Sequence, residues 1–541
     1  MTLRDFTERE EIILESLSPC LKELDEKTAE LWIRYDAVLH TDTDFFVPSN
    51  ENIANMLSRI RELRGQLQAN TDAVGWDQLV GMHLEEMLAA LEFRLIDEMA
   101  TPHRYLSDIG YTIDRFLLLD GRGAVEKEHV LCERLHRLVA VLQAATRRAR
   151  DVQPEQRSML IEYIESLLAI MRTYRESDRF RSGQLHVLLG VVSDVLKQSL
   201  SEVAAMTGKG DRHPLPYRQR LKTLWGIDVE EMLDWSKEEY FRCRGRLTQL
   251  TEDLHGVSDV RRYVNKDDTP LGSPEEALNL MRKYLCRARN AAQRHVALPR
   301  GEECWVERVP AHMEPIYPWG GCISPSPLSK SLSGAVLINA TNYRALSRGW
   351  LKMLALHECY PGHHAQRVRT SVSSLPRSFK VHTLAHPSSP LVEGMAHRSE
   401  TVLADVFGPF FRVFAAYRRL HTITRVRADL ALNYQRRPAQ EAVQMYRDSL
   451  GLSSDVARGQ VHFQRLLPGY MTIYYYGVRF LEELGARVPM DDRKMSEALF
   501  SAGYVSLRTF ENMLIRSLGP GRTGAFNLRE EAPRRGKNVD A

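Results

Sequence analysis

The sequence predicts a mainly α-helical protein of two lobes, with a small β-sheet set beside one buried helix. Three observations point there. Apolar residues recur at three- and four-residue spacing through most of the chain, as in helices with one buried face. A cluster of chain breakers, Gly208-Lys-Gly-Asp-Arg-His-Pro-Leu-Pro216, interrupts that pattern. Two short runs with the aromatic and β-branched content of strands, Cys304–Val309 and Gly334–Asn339, come just before an apolar, helix-like segment.

The elements follow in order. From Trp76 to Met99, the residues Val80, Leu84, Met87, Leu88, Leu91 and Leu95 form one apolar stripe, and Val130–Ala145 and Met159–Met171 read the same way. Short breaks at Pro48–Asn50 and Gly121–Gly123 separate such segments, and together they make an N-terminal helical lobe of residues 1–210. The second lobe, 211–518, resumes with helical patterns over Val229–Leu254 and Pro274–His295. The two strand-like runs follow, separated by a Pro/Gly/Ser-rich loop over 310–333. The strand near Val336 is expected either at the sheet's edge, where its main chain would pair with an extended substrate, or as a strand that only packs. Thr341 or Asn342 can cap the next helix, on which Trp350, Met353, Leu354 and His357 share the inward side. More helices come after Pro409, one of them over Pro438–Leu450, and residues 519–541 read as a frayed, flexible tail.

Composition excludes several function classes. Of 541 residues 43% are apolar and 26% charged, and the formal net charge of +3 lacks the basic surplus of a nucleic-acid binder. The clusters Arg147-Arg148-Ala-Arg150 and Arg172, Arg175, Arg179, Arg181 have only Tyr174 and Phe180 among them, so they read as solvated helix faces. No window approaches the ~18 uncharged apolar residues of a membrane span. The charged start lacks a signal-peptide core. The expectation is a soluble, cytoplasmic protein without nucleic-acid or membrane partners. Seven scattered cysteines with no Cys-x-x-Cys pair indicate reduced thiols, and Cys359 is read as a packing residue.

Chemistry concentrates in Leu354-Ala-Leu-His357-Glu358-Cys-Tyr-Pro361-Gly362-His363-His364-Ala-Gln366. In the zinc-hydrolase pattern His-Glu-x-x-His, two imidazoles one helical turn apart bind the metal and the Glu serves as general base. Here Pro361 occupies the second ligand position, so that ligand must be His363 or His364, beyond a Pro-Gly break. His382 and His386 lie between this motif and the next acidic element. Pro387 makes one helix through both unfavourable, so they read as loop or substrate-pocket residues.

His-Glu-x-x-Pro-Gly-His-His-x-Gln resembles the signature of the bacterial domain-of-unknown-function 885 family, whose members look like α-helical zinc metallopeptidases. The resemblance runs from about Val309 to Leu514 and implies a zinc-metallopeptidase-like fold. It favours His363 as second ligand, leaving His364 for a supporting contact. Leu391-Val-Glu393-Gly-Met395-Ala-His-Arg398-Ser-Glu400 resembles the family's Glu-Gly-Trp-Ala-x-Tyr-x-Glu, implying Glu393 as third ligand, with Met395 and Arg398 replacing Trp and Tyr. Glu400 is placed to orient an imidazole. Asp429 matches a further family segment in which Asn433 stands where the family has His. Tyr474 falls on the Tyr of the family's Pro-x-x-x-x-x-Tyr-x-x-Gly, implying a hydroxyl aimed at an oxyanion. Tyr470 shares its helix face, and Arg479 is a candidate anchor for a substrate carboxylate.

The expected function is a zinc-dependent hydrolase of peptide or other amide bonds in short peptides or small molecules, with Glu358 as general base. The alternative is a zinc-dependent tailoring hydrolase or lyase acting on a small molecule in a biosynthetic pathway. A non-catalytic helical binding protein ranks last, because His357, Glu358, His363 and Glu393 are all intact. The sequence does not determine the oligomeric state.

Overall fold

A computed structural model describes residues 13, 15–36, 45–70, 74–107, 109–119, 122–176, 183–256, 271–311, 314, 319–326, 328–329, 331–488 and 490–518. The sequence-derived tail 519–541, the charged start and Arg179 and Arg181 lie outside these residues.

The described chain is mainly helical with one small sheet. Three helices open it: α1 (Pro19–Tyr35), α2 (Asn50–Ala69) and α3 (Trp76–Glu98). Ser18 and Ser49 cap the first two, each side chain accepting from a backbone N–H three residues on. Then come α4 (Ala124–Arg148), α5 (Pro154–Arg175) and α6 (Gly183–Ala204), followed by α7 (Tyr217–Trp225), α8 (Val229–His255) and α9 (Pro274–Ala292). The expected stripes therefore lie on helices that run a few residues past them at either end. No helix among the described residues is long and apolar enough to cross a membrane.

The apolar interior does not follow the division at residue 210. Helices α4 to α6 form one cluster around Leu135, Leu142, Leu160, Leu189 and Leu196. Buried residues of α1 to α3, among them Trp32, Ile60 and Leu88, instead share a core with residues from Tyr217 to Leu514. Periodicity identifies a buried face but not its partner, so the chain order of the helices does not tell which of them share a core.

Strands β1 (Glu303–Arg308), β2 (Gly320–Ile323) and β3 (Ser333–Ile338) form a sheet of order β1-β3-β2. The expected edge strand near Val336 is central. Val336 pairs with Val306 in the parallel strand β1 and with Cys322 in the antiparallel strand β2. Its main chain is thus occupied on both sides and has no groups left for a substrate. The loop to the next helix also differs from expectation: Tyr343–Ala345 is a 3₁₀ turn, and Ser347, rather than Thr341 or Asn342, caps α10 (Arg348–Leu354) through Trp350 N–H at 3.1 Å.

Beyond α10 lie α11 (His363–Ser371), α12 (Ser389–Val402), α13 (Pro409–Asp429), α14 (Ala439–Leu450), α15 (Ser454–Leu466), α16 (Ile473–Arg487), α17 (Asp492–Ser501) and α18 (Leu507–Leu518). Helices α1 and α3 grip the loop after α11. Asp25 accepts from the backbone N–H groups of Arg377 (2.8 Å) and Ser378 (3.2 Å), Trp32 meets His386 edge-on, and His83 packs on Phe379.

Candidate metal centre

The break in the His-Glu motif is built as a change of helix type. Helix α10 widens into one π turn over Ala355–Cys359, closed by Tyr360 N–H donating to Ala355 O at 2.9 Å. Pro361 ends it, and α11 restarts at His363. Gly362 is required by crowding rather than by its φ of −85°, since a Cβ there would lie 1.8 Å from His357 O. The chain folds back tightly enough that the rings of His357 and His363 stand 4.9 Å apart and nearly perpendicular.

Glu393 of α12 completes the group. Its Oε2 lies 3.4 Å from His357 Nε2 and 3.5 Å from His363 Nε2. Those separations match the edge, about 3.4 Å, of a tetrahedron of ligands around zinc with bonds of about 2.1 Å. Glu393 Oε2 is buried yet accepts no hydrogen bond, while Oε1 accepts from the Tyr470 hydroxyl at 2.9 Å. A carboxylate oxygen without a donor, facing two imidazole nitrogens, is the donor set of a divalent-cation site. His357, His363 and Glu393 could therefore hold a metal.

The surroundings fix each donor. His357 Nδ1 donates to Glu400 Oε1 at 2.8 Å, which makes Nε2 the nitrogen that would give up its proton to a bound cation. Glu400 is held in turn by Arg418 from Nε and Nη2, both at 3.3 Å, and His397 Nδ1 lies 3.0 Å from it. His357, His397 and Glu400 also lie close enough to bind a cation, but Arg418 already supplies the positive charge there. Burial alone would depress the His357 pKa, yet the carboxylates of Glu393 and Glu400 lift it to about 10. Burial pushes Glu393 up, but His363 and His357 outweigh it and hold its carboxyl well below the usual range. The centre favours positive charge between ionised acids.

The adjacent His364 belongs elsewhere. Its Nε2 lies 3.1 Å from Glu302 Oε2, which also accepts from the Tyr360 hydroxyl at 2.6 Å, and Arg289 binds the other oxygen of Glu302. This buried cluster ties both ends of the break to the sheet. His363, not His364, is thus the imidazole brought to His357. Glu358, half-buried, follows His357 in the π turn, and its charge reaches both His357 and Tyr474.

Tyr474 lies over His357, ring centres 6.1 Å apart and planes 12° from parallel, and Tyr470 meets Tyr474 edge-on at 5.9 Å. Burial, then the charge of Glu393, raises the Tyr474 hydroxyl's pKa well above its usual value, so it remains a donor. The glycines of the two downstream motifs explain this proximity. A Cβ at Gly394 would lie 2.5 Å from Gly477 C, and one at Gly477 would lie 1.9 Å from Pro390 O. Helices α12 and α16 touch backbone to backbone, bringing Glu393 and Tyr474 to one point.

One expectation changes. Arg479 does not face the centre: it pairs with Glu483 at 2.7 Å and Glu239 at 3.7 Å and lies over Trp235. Arg398, which stands at a family Tyr position, binds Asp492 and Ser496 instead. His382 and His386 share Ser388 Oγ, at 2.8 and 2.7 Å, in the loop before α12. Asn433 donates to Asp429 Oδ1 at 3.1 Å, and the same oxygen receives the Gly469 N–H at 3.0 Å and the Tyr217 hydroxyl at 2.7 Å. That node pins the turn ahead of Tyr470. The sequence reading missed Arg418, His397 and Arg425. Arg418, His421, Arg425 and Asp429 recur at three- and four-residue spacing along one face of α13, and a polar stripe on a buried helix was the available signal.

The model of the family described as "Bacterial protein of unknown function (DUF885)" matches residues 35–513. No curated protein shows significant similarity. A solved structure from Colwellia psychrerythraea, titled a "putative lipoprotein", aligns at TM-score 0.73 with 17% identity, covering 92% of this chain and 98% of that one. A second, a "putative lipoprotein of unknown function" from Shewanella oneidensis, aligns at TM-score 0.65 with 15% identity, covering 95% and 100%. At these identities the likeness is one of fold.

Proposed function

The chain belongs to the DUF885 family of bacterial proteins, and on that footing we propose that it is a zinc-dependent hydrolase of peptide or other amide bonds in short peptides or small molecules. One observation carries the reading: the buried Glu393 Oε2, lacking a hydrogen-bond donor, faces the Nε2 atoms of His357 and His363. His357, His363 and Glu393 would hold the ion. Zinc, when bound, supplies a Lewis acid that polarises a carbonyl and lowers the pKa of its water toward about 7.

The chain's own residues do the rest. Glu400 keeps His357 in the tautomer whose Nε2 is free to bind. Glu358 takes a proton from the attacking water and later delivers it to the leaving amine. Tyr474 donates its hydroxyl hydrogen to the oxyanion that develops on the substrate, and Tyr470 steadies Glu393 from the far side. Metal analysis of the purified full chain tests the reading. About one zinc per chain, with amide hydrolysis lost on chelation and restored by zinc, is expected. A protein that neither retains nor takes up metal would overturn it.

A further inference from the structure

The buried face of α13 carries a cation that the chemistry above leaves without a task. Arg425 is 6% exposed. Its Nε and Nη2 both donate to one neutral acceptor, Gln460 Oε1, at 3.1 and 3.0 Å. Among the described residues no carboxylate lies within ion-pairing distance of it. Arg418, two turns earlier on the same helix, has Glu400 as its partner. Glu393 is an acid whose charge reaches Arg425, but its oxygens are committed to Tyr470 and to the two imidazoles.

A guanidinium removed from water and answered at close range only by an amide oxygen and the face of one aromatic ring is costly to hold in place. Burial, reinforced by the charge of Arg418, does lower its pKa from the usual arginine value. Such a group fits where an anion arrives from outside. The guanidinium carbon lies 5.2 Å from the centre of the Tyr474 ring, and that ring also stacks on His357. Tyr474 is therefore a wall common to the candidate metal centre and to Arg425. A planar, forked donor is also the group best matched to a carboxylate.

We propose that Arg425 binds a free carboxylate of the substrate, so that the enzyme takes amides bearing a carboxylate close to the bond to be cut. This rests on the zinc-hydrolase reading and names the substrate class for the same site. Arg425 is then a specificity residue, and the role expected of Arg479 passes to it.

The test uses the zinc-loaded full chain and calorimetric titration with pairs of hydroxamates of matched length. One member of each pair ends in a carboxylate and the other in its methyl ester, over a short series of chain lengths. At the best length the acid binds about tenfold more tightly than the ester. Arg425→Met abolishes that preference, and Arg425→Lys keeps part of it. Esters that bind with no preference for the acid at any length would overturn the proposal and leave the zinc reading standing. So would an Arg425→Met protein that keeps the preference. If Arg425→Met does not fold, the comparison of acid and ester on the natural chain and on Arg425→Lys still decides. If neither acids nor esters bind the zinc-loaded protein, the zinc reading falls and takes this one with it.

Discussion

Glu358, Tyr474 and Asp429 illustrate three different uses of a polar side chain near the centre. Glu358 follows a candidate ligand without being one, so Glu358→Gln should retain the metal and lose turnover by about 10²- to 10⁴-fold. Metal content and single-turnover rates check this, and an undiminished rate would remove Glu358 as the base. Tyr474→Phe should lose about 10²- to 10³-fold in kcat with metal content unchanged, because it deletes one donor and leaves the ligands alone. Asp429 works through the fold. Burial raises its pKa from 3.8 to about 6, outweighing the hydrogen bonds it accepts. A carboxyl with a raised folded-state pKa contributes stability below its unfolded pKa and loses it as pH rises through the folded value. Between pH 3.8 and about 6 the natural protein should therefore lose about 3 kcal/mol that Asp429→Asn does not lose. Urea titrations of both proteins across that window measure the difference in slope.

At the scale of elements, the crossing of α12 and α16 controls the site, because the contact is backbone on backbone. Gly477→Ala should cost about 2 kcal/mol or more and weaken metal binding, since its methyl would meet Pro390 O. Gly245→Ala on α8 has nothing within 4 Å and should stabilise by up to about 1 kcal/mol. Denaturant midpoints for the two variants should move in opposite directions. The helices, the two strands and His357 could be read from the sequence, since periodicity, strand composition and motif spacing are local properties, whereas Glu393 came only from the family resemblance. The choice between His363 and His364 could not be read from the residues alone. It depends on a π turn and on Glu302, which holds His364 from another part of the chain. The central place of β3 was also hidden, because β1 and β2 flank it from opposite sides and an apolar run is the same at an edge or in the middle. Arg425 escaped notice because a motif directs attention to what it contains, and Arg425 is marked only by the partner it lacks.

Over the whole molecule, the packing of α1 to α3 against residues 217–514 joins the two ends of the chain into one core. A fragment of residues 211–518 should therefore fail to fold alone, because it exposes the surface that buries Trp32, Ile60 and Leu88. Circular dichroism and limited proteolysis of that fragment check the expectation, and a soluble, protease-resistant product would contradict it. Asp25 and Trp32 lie far from the His357-Glu358 motif in sequence yet hold the loop that follows it. Damage at the N-terminal end should thus reach the centre through that loop.

The π turn at Ala355–Cys359 also makes the segment's length matter more than its composition. Each residue advances a helix by about 100°. Deleting a single residue from Arg348–Leu354 would rotate His357 away from Glu393 even if every remaining contact of α10 were apolar and well packed. Substitutions on the outer side of α10 should be tolerated, while a one-codon deletion there should abolish metal binding, which metal analysis of the purified variant checks.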